Sequence, residues 1–216
     1  VMLIVNSFNL NWQPYYLKLG IKSGLSKFES IGQHFLLILL FVSTILSIMW
    51  PIFFQYNWGG YSIIGRAFWE GGRIVPVVCL SYVFYGLFIL QMPSIYLKTK
   101  QNWAPFFWGS GFIINLVMNL LLIPKLGMFG AAWATFFAYF SMSMLLVYKN
   151  KKWLPIQYQI KKLILFCLFS GTSYYLSRTI YQANNIQYIY ILVFLYGVLG
   201  FYYIYYTVQR LVPKLD

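Results

Sequence analysis

The chain has 216 residues, 61% of them apolar and only 9% charged, with a mean hydropathy of +0.67. A soluble domain would carry about one-quarter charged residues, whereas the acids here are Glu29, Glu70 and Asp216 alone, too few to cover an aqueous surface. The net charge of +13 is scattered through short segments between apolar runs instead of being gathered on one face, which argues against a nucleic-acid partner and for membrane topology and a lipid bilayer.

About 20 helical residues at 1.5 Å rise cross a hydrocarbon core of roughly 30 Å. The first apolar segment, 1–17, is short and interrupted by Asn6, Asn9, Asn11, Gln13 and Pro14, so it reads as the end of a partial span. Six full-length stretches follow, at 35–54, 74–97, 103–123, 128–148, 163–182 and 188–208. The predicted fold class is an all-α, multi-pass transmembrane helical bundle of about six complete spans plus a partial first one, a single domain over 1–216. A chain that opens mid-helix, with Val1 where an initiator methionine would stand, is expected to lack an N-terminal part.

Lys and Arg divide between alternate loops. One side receives Lys18, Lys22, Lys27, Lys98, Lys100, Lys149, Lys151, Lys152, Lys161, Lys162, Arg210 and Lys214, and the other receives Arg66, Arg73, Lys125 and Arg178. The excess assigns the lysine-rich side, with the C-terminus, to the cytoplasm. Trp50, Trp58, Trp69, Trp103, Tyr148, Trp153 and Tyr188 fall near span ends, where amphipathic rings favour the headgroup layer. The tyrosines at 202, 203, 205 and 206 read as part of the same aromatic belt. Cys79 and Cys167 lie in apolar runs without His or acidic neighbours at ligand spacing, so neither a disulfide framework nor a metal or cofactor is expected. The lone His34 reads as a residue at the polar opening of its span.

Between the third and fourth full spans, residues 115–134 read Asn-Leu-Val-Met-Asn-Leu-Leu-Leu-Ile-Pro-Lys-Leu-Gly-Met-Phe-Gly-Ala-Ala-Trp-Ala, followed by Thr135. Pro124 is expected to end one helix, Gly127 and Gly130 to allow a sharp reversal, and Gly130, Ala131 and Ala134 to give the next helix a small-residue face.

This stretch resembles the polysaccharide flippases of the multidrug/oligosaccharidyl-lipid/polysaccharide exporter superfamily, in which Asn-x-x-x-Asn-x-x-x-Ile-Pro-x-x-Gly-x-x-Gly-Ala-Ala-x-Ala-Thr marks such a turn. The similarity extends from Lys98-Thr99-Lys100 to Leu154-Pro155-Ile156 and covers residues 60–158 best. It implies the C-terminal half of a 12–14-helix flippase that moves an undecaprenyl-diphosphate-linked oligosaccharide across the bacterial inner membrane for O-antigen, capsule or exopolysaccharide. The first segment would then be the eighth span, and the motif turn would face outward, in agreement with the lysine count.

The candidate substrate-binding residues are Asn115 and Asn119, on one helical face inside the bilayer, Gln91 beside a potential kink at Pro93, and Arg66 and Arg73 in the external loop, whose guanidiniums match diphosphate oxygens. Each has a structural counterpart: interhelical bonding for the amides, a static bend for Pro93, and a helical ion-paired surface for Arg66, Glu70 and Arg73. Arg178 reads as a snorkelling side chain. No catalytic residue is expected. A membrane polymerase or ligase acting on polyprenyl-linked glycans would need acids or His in its largest external loop, 55–73, which holds one acid. A drug or ion antiporter of the same superfamily would need an intramembrane carboxylate.

Overall fold

In hydrocarbon no water is available to the backbone, so every N–H and C=O must be satisfied within the protein, and the continuous apolar runs become helices. The computed structural model describes residues 1–21, 24–55, 57–58, 61–62, 64–183 and 185–211. Among them the chain forms α1 (Met2–Leu19), α2 (Leu25–Gln55), α3 (Val75–Gln91), α4 (Pro93–Leu97), α5 (Ala104–Leu126), α6 (Met128–Trp153), α7 (Ile160–Gln182) and α8 (Ile186–Leu211). A two-residue antiparallel pairing, Asn57–Trp58 with Tyr61–Ser62, and a 3₁₀ segment, Arg66–Ile74, connect α2 to α3. Thr44 and Ser47 of α2 bond back to the preceding turn, to the Leu40 carbonyl at 2.8 Å and the Ser43 carbonyl at 2.7 Å, so these hydroxyls sit among apolar neighbours without stranded hydrogens.

Five helical stretches are long and apolar enough to cross a membrane: Leu25–Trp50, Phe68–Leu97, Gln101–Leu126, Met128–Trp153 and Gln187–Thr207. The protein is a multi-pass, all-helical membrane protein with the bilayer as its solvent. The expected span at 163–182 forms α7, which has the length, at 23 residues, but is not among the five apolar stretches. Ser170, Thr172, Ser173, Ser177 and Arg178 dilute it, and three of those serines are buried in protein contacts. His34 lies well inside α2, which begins at Leu25, so it does not cap that helix.

The helices stand in a row, α5 against α6, α6 against α3, α3 against α2, and α2 against both α7 and α8, with α1 laid on α3 and α4. Their shared core runs through Leu36, Leu37, Leu39 and Leu40 of α2, Phe88, Ile89 and Leu90 of α3, and Met142 and Leu146 of α6. The outward faces remain apolar: Phe112 and Leu120 on α5 and Phe194 and Phe201 on α8 are each more than two-thirds exposed. Such a surface suits acyl chains and would aggregate in water.

The α5–α6 reversal is made by one residue. Gly127, at φ 54°, is at once the last cap of α5 and the first of α6, a backbone conformation that a β-carbon disfavours. Pro124 does not end α5 as the sequence suggested: the helix runs on to Leu126, because the Gly127 N–H bonds the Ile123 carbonyl at 2.8 Å and so spans the proline. Gly130 is where the two backbones meet, since a β-carbon there would stand 2.4 Å from the Leu122 carbonyl oxygen. Ala134 beyond it is fully buried, whereas Ala131 is half-buried.

Helices α3 and α6 run parallel and are tied at a seven-residue interval. The Ser143 hydroxyl donates to the Phe84 carbonyl, and Asn150 Nδ2 donates to the Gln91 carbonyl at 3.0 Å and to Gln91 Oε1 at 2.6 Å. Seven residues are two helical turns, so one face of α6 reads one face of α3 in fixed register.

Candidate functional site

Helices α3 and α7 both pack on α2 and have at most marginal contact with one another among the described residues. The result is a cleft with α2 as its floor and α3 and α7 as its walls. Three cavities lie in file along it. The first, about 690 Å³, is at the lysine-rich end, where Leu36 of α2, Leu87 and Gln91 of α3 and Leu163 of α7 are joined by Val147 and Asn150 of α6 and by the α6–α7 connection. The second, about 310 Å³, lies between Leu40, Ser43, Thr44 and Ser47 of α2, Pro76 and Leu80 of α3, and Cys167, Ser170, Gly171 and Tyr174 of α7. The third, about 230 Å³, is bounded by Trp50 of α2, Glu70 and Arg73 of the 3₁₀ segment, and Arg178, Tyr181 and Gln182 of α7. The residue numbers rise along α2 and α7 and fall along α3, so the series runs from one end of the bundle to the other.

Its chemistry changes along the way. The lysine-rich end is walled by Lys151, Gln91 and Asn150 among apolar side chains. The middle is small and hydroxylated: Ser43 Oγ is buried without a partner among the described residues, and Ser170 Oγ shares a hydrogen bond with the Tyr196 hydroxyl at 2.9 Å. A β-carbon on Gly171 would meet nothing within 4 Å, so this stretch of wall is open space. The far end collects two guanidiniums, Arg73 and Arg178, in a hollow that Trp50, Trp69 and Tyr181 also line. The Arg178 guanidinium carbon sits 5.9 Å from the centre of the Trp50 ring, within cation–π reach, and Trp69 anchors the 3₁₀ segment by donating to the Ile64 carbonyl at 2.9 Å. Two cations with fork geometry beside flat rings can hold phosphate oxygens and stack a sugar face.

The sequence candidates divide between this cleft and the rest of the bundle. Gln91, 2% exposed, is at its lysine-rich end with its carbonyl and side-chain oxygen taken by Asn150. Arg73 is at the opposite end. The expected helical alignment of Arg66, Glu70 and Arg73 gives way to a 3₁₀ segment, whose three-residue turn puts Glu70 and Arg73, three apart, on one side. The side chain of Arg66 lies outside the described residues, as do Lys22 and Lys214 of the basic count. Asn115 and Asn119 are on α5, separated from the cleft floor by α6 and α3, and Asn119 Nδ2 donates to Asn115 Oδ1 at 2.9 Å. Pro93 follows a break at Met92 that separates α3 from α4. Pro124, Gly127, Gly130, Ala131 and Ala134 build the α5–α6 turn.

Sequence reasoning missed the hydroxyl face of α7 and the convergence of Arg178 with Arg73. A signal for the first was available: Ser170, Ser173 and Ser177 at spacings of three and four mark one helical face. The second depends on which loop folds over which helix end and leaves no trace in spacing. No protein-family model, curated protein or solved structure matches the chain.

Proposed function

We propose that this chain is part of a flippase that carries an undecaprenyl-diphosphate-linked oligosaccharide across the bacterial inner membrane, for O-antigen, capsule or exopolysaccharide, with its C-terminus in the cytoplasm. In this reading it supplies the C-terminal half of a 12–14-helix transporter, six spans and part of a seventh, and no catalytic group is needed. The observation that carries the reading is the α2–α3–α7 cleft, polar at both ends and hydroxylated between, crossing a bundle whose other surfaces are apolar. A charged headgroup cannot cross hydrocarbon unaided, and a lateral cleft lets it move past polar groups while its prenyl chain stays in lipid. The Asn-x-x-x-Asn to Gly-Ala-Ala-x-Ala-Thr stretch supplies the family resemblance, and Arg73 with Arg178 supplies the anion chemistry at the far end. For a polymerase or ligase, that end offers Glu70 as its one acid and no His.

The test is genetic complementation in cells lacking a glycan flippase, with this chain expressed alone and beside a candidate N-terminal half, and surface polysaccharide as the readout. Restoration that requires both chains and is lost in the R73A/R178A variant supports the reading. Failure of both arrangements, with the chains stably inserted, refutes it.

A further inference from the structure

The cavity at the lysine-rich end has one buried polar group whose orientation is fixed and whose bonding is incomplete. Asn150 is 2% exposed. Both of its hydrogen bonds to Gln91 use Nδ2, which sets the amide plane and leaves Oδ1 as an acceptor without a partner among the described residues. Buried polar atoms are nearly always satisfied, so an acceptor held rigidly at a cavity wall marks where a donor belongs. Tyr158 also lines this cavity, and its phenol oxygen, which lies against Gly32 of α2, is likewise buried without a partner among the described residues. Burial pushes that phenol far above its usual value, and the Glu29 carboxylate pushes it the same way, so Tyr158 presents a neutral hydroxyl.

Tyr158 is held in place by the linker that carries it. The Gln157 N–H donates to Glu29 Oε1 at 2.8 Å and the Gln159 N–H donates to Gln33 Oε1 at 2.9 Å, which straps the α6–α7 connection onto the start of α2 on either side of the tyrosine. Lys151 adds a cation at the rim, and Leu36, Val147 and Leu163 supply an apolar wall. The volume of about 690 Å³ falls within the range of small-molecule sites.

We propose that this cavity is a headgroup subsite for a phosphate-bearing amphiphile whose headgroup also carries a hydrogen-bond donor, a hydroxyl or an ammonium. The phosphate meets Lys151 and the Tyr158 hydroxyl, the donor meets Asn150 Oδ1, and the chains lie along the apolar wall toward lipid. Two sources share this chemistry, an inner-leaflet phospholipid and a polyprenyl-diphosphate glycan. The proposal deepens the cleft reading but rests on the cavity alone, not on what the cleft transports.

Binding to the full chain in detergent is measured with short-chain phosphatidylglycerol, phosphatidylcholine, diacylglycerol and a short-chain polyprenyl-diphosphate disaccharide. Phosphatidylglycerol is expected to bind about tenfold more tightly than phosphatidylcholine, whose quaternary headgroup has no donor, and diacylglycerol not measurably. Tyr158→Phe, which removes a hydroxyl without a partner among the described residues, and Lys151→Gln, at an exposed side chain, should each weaken phosphatidylglycerol about three- to tenfold at unchanged thermal stability. Val147→Trp, which fills the cavity, should abolish binding. Displacement of phosphatidylglycerol by the disaccharide assigns the subsite to cargo, and its absence assigns it to a resident phospholipid. Equal affinity for phosphatidylglycerol and phosphatidylcholine, or indifference to both Tyr158→Phe and Lys151→Gln, overturns the proposal. Intact lipid binding beside failed complementation leaves the subsite standing and removes the transport reading.

Discussion

Two interhelical seams in this molecule are built from small residues, and they do opposite things. In the α5–α6 hairpin the small residues bring backbones into contact, so that the place of a Gly130 β-carbon is already occupied by the Leu122 carbonyl. In the α2–α7 seam the small residues Ser43, Ser47, Ser170 and Gly171 border a cavity, and the place of a Gly171 β-carbon is empty. Small side chains in a membrane helix therefore have two meanings, close packing or lining, and the space beyond the β-carbon separates them.

The sharpest test of that contrast is to put one side chain at both glycines. Gly130→Leu forces the α5 and α6 backbones apart and is expected to cost about 3 kcal/mol, read as a lowered unfolding midpoint in detergent and poor insertion. Gly171→Leu should leave the midpoint within about 0.5 kcal/mol of the parent, and yet remove transport by filling the middle of the cleft. If Gly171→Leu destabilises as much as Gly130→Leu, the α2–α7 seam is a packing seam and the cleft does not exist as a path.

The hairpin was legible in the sequence because its cause is local. A glycine that must turn, another that must let a backbone by, and alanines one turn on are all readable from spacing, and the one error there, over Pro124, came from a Gly127 hydrogen bond that carries the helix past the proline. Most of the helices were legible for the same reason, since apolar run length decides which segments can span. The cleft was not, because it is made by two helices far apart in sequence that both lie on α2 and close only marginally on each other. Ser170, which lines it, and Ser173 and Ser177 on the same face lowered the hydropathy of α7 and looked like a weaker span, when they are the face that α7 turns toward protein. Arg178 looked like a residue reaching for the interface, and only its place over Trp50, beside the hollow that also holds Arg73, gives it a second role.

A smaller effect tests the seam that fixes α3 for both regions. Ser143→Ala and Asn150→Ala each remove bonds from α6 to α3, at Phe84 and Gln91. Interhelical hydrogen bonds in membranes contribute about 0.6 kcal/mol on average, and Asn150 should exceed that because it buries two donors on one partner. The sites are two turns apart, about 10 Å, so the double variant should equal the sum of the singles within about 0.5 kcal/mol. A larger coupling would mean that α3 and α6 shift register as a unit when either tie is cut.

The smallest effect is expected at Asn115 and Asn119. They bond each other on α5, half-buried, and Asn119 Oδ1 has no partner among the described residues. Replacing both by leucine removes the one side-chain hydrogen bond the pair makes among the described residues together with its unmet acceptor, so the two losses nearly cancel. The double variant should unfold within about 0.5 kcal/mol of the parent and should retain transport if the path is the α2–α3–α7 cleft. Loss of transport at unchanged stability would place a cargo contact on the hairpin, and the two small-residue regions would then both belong to the path.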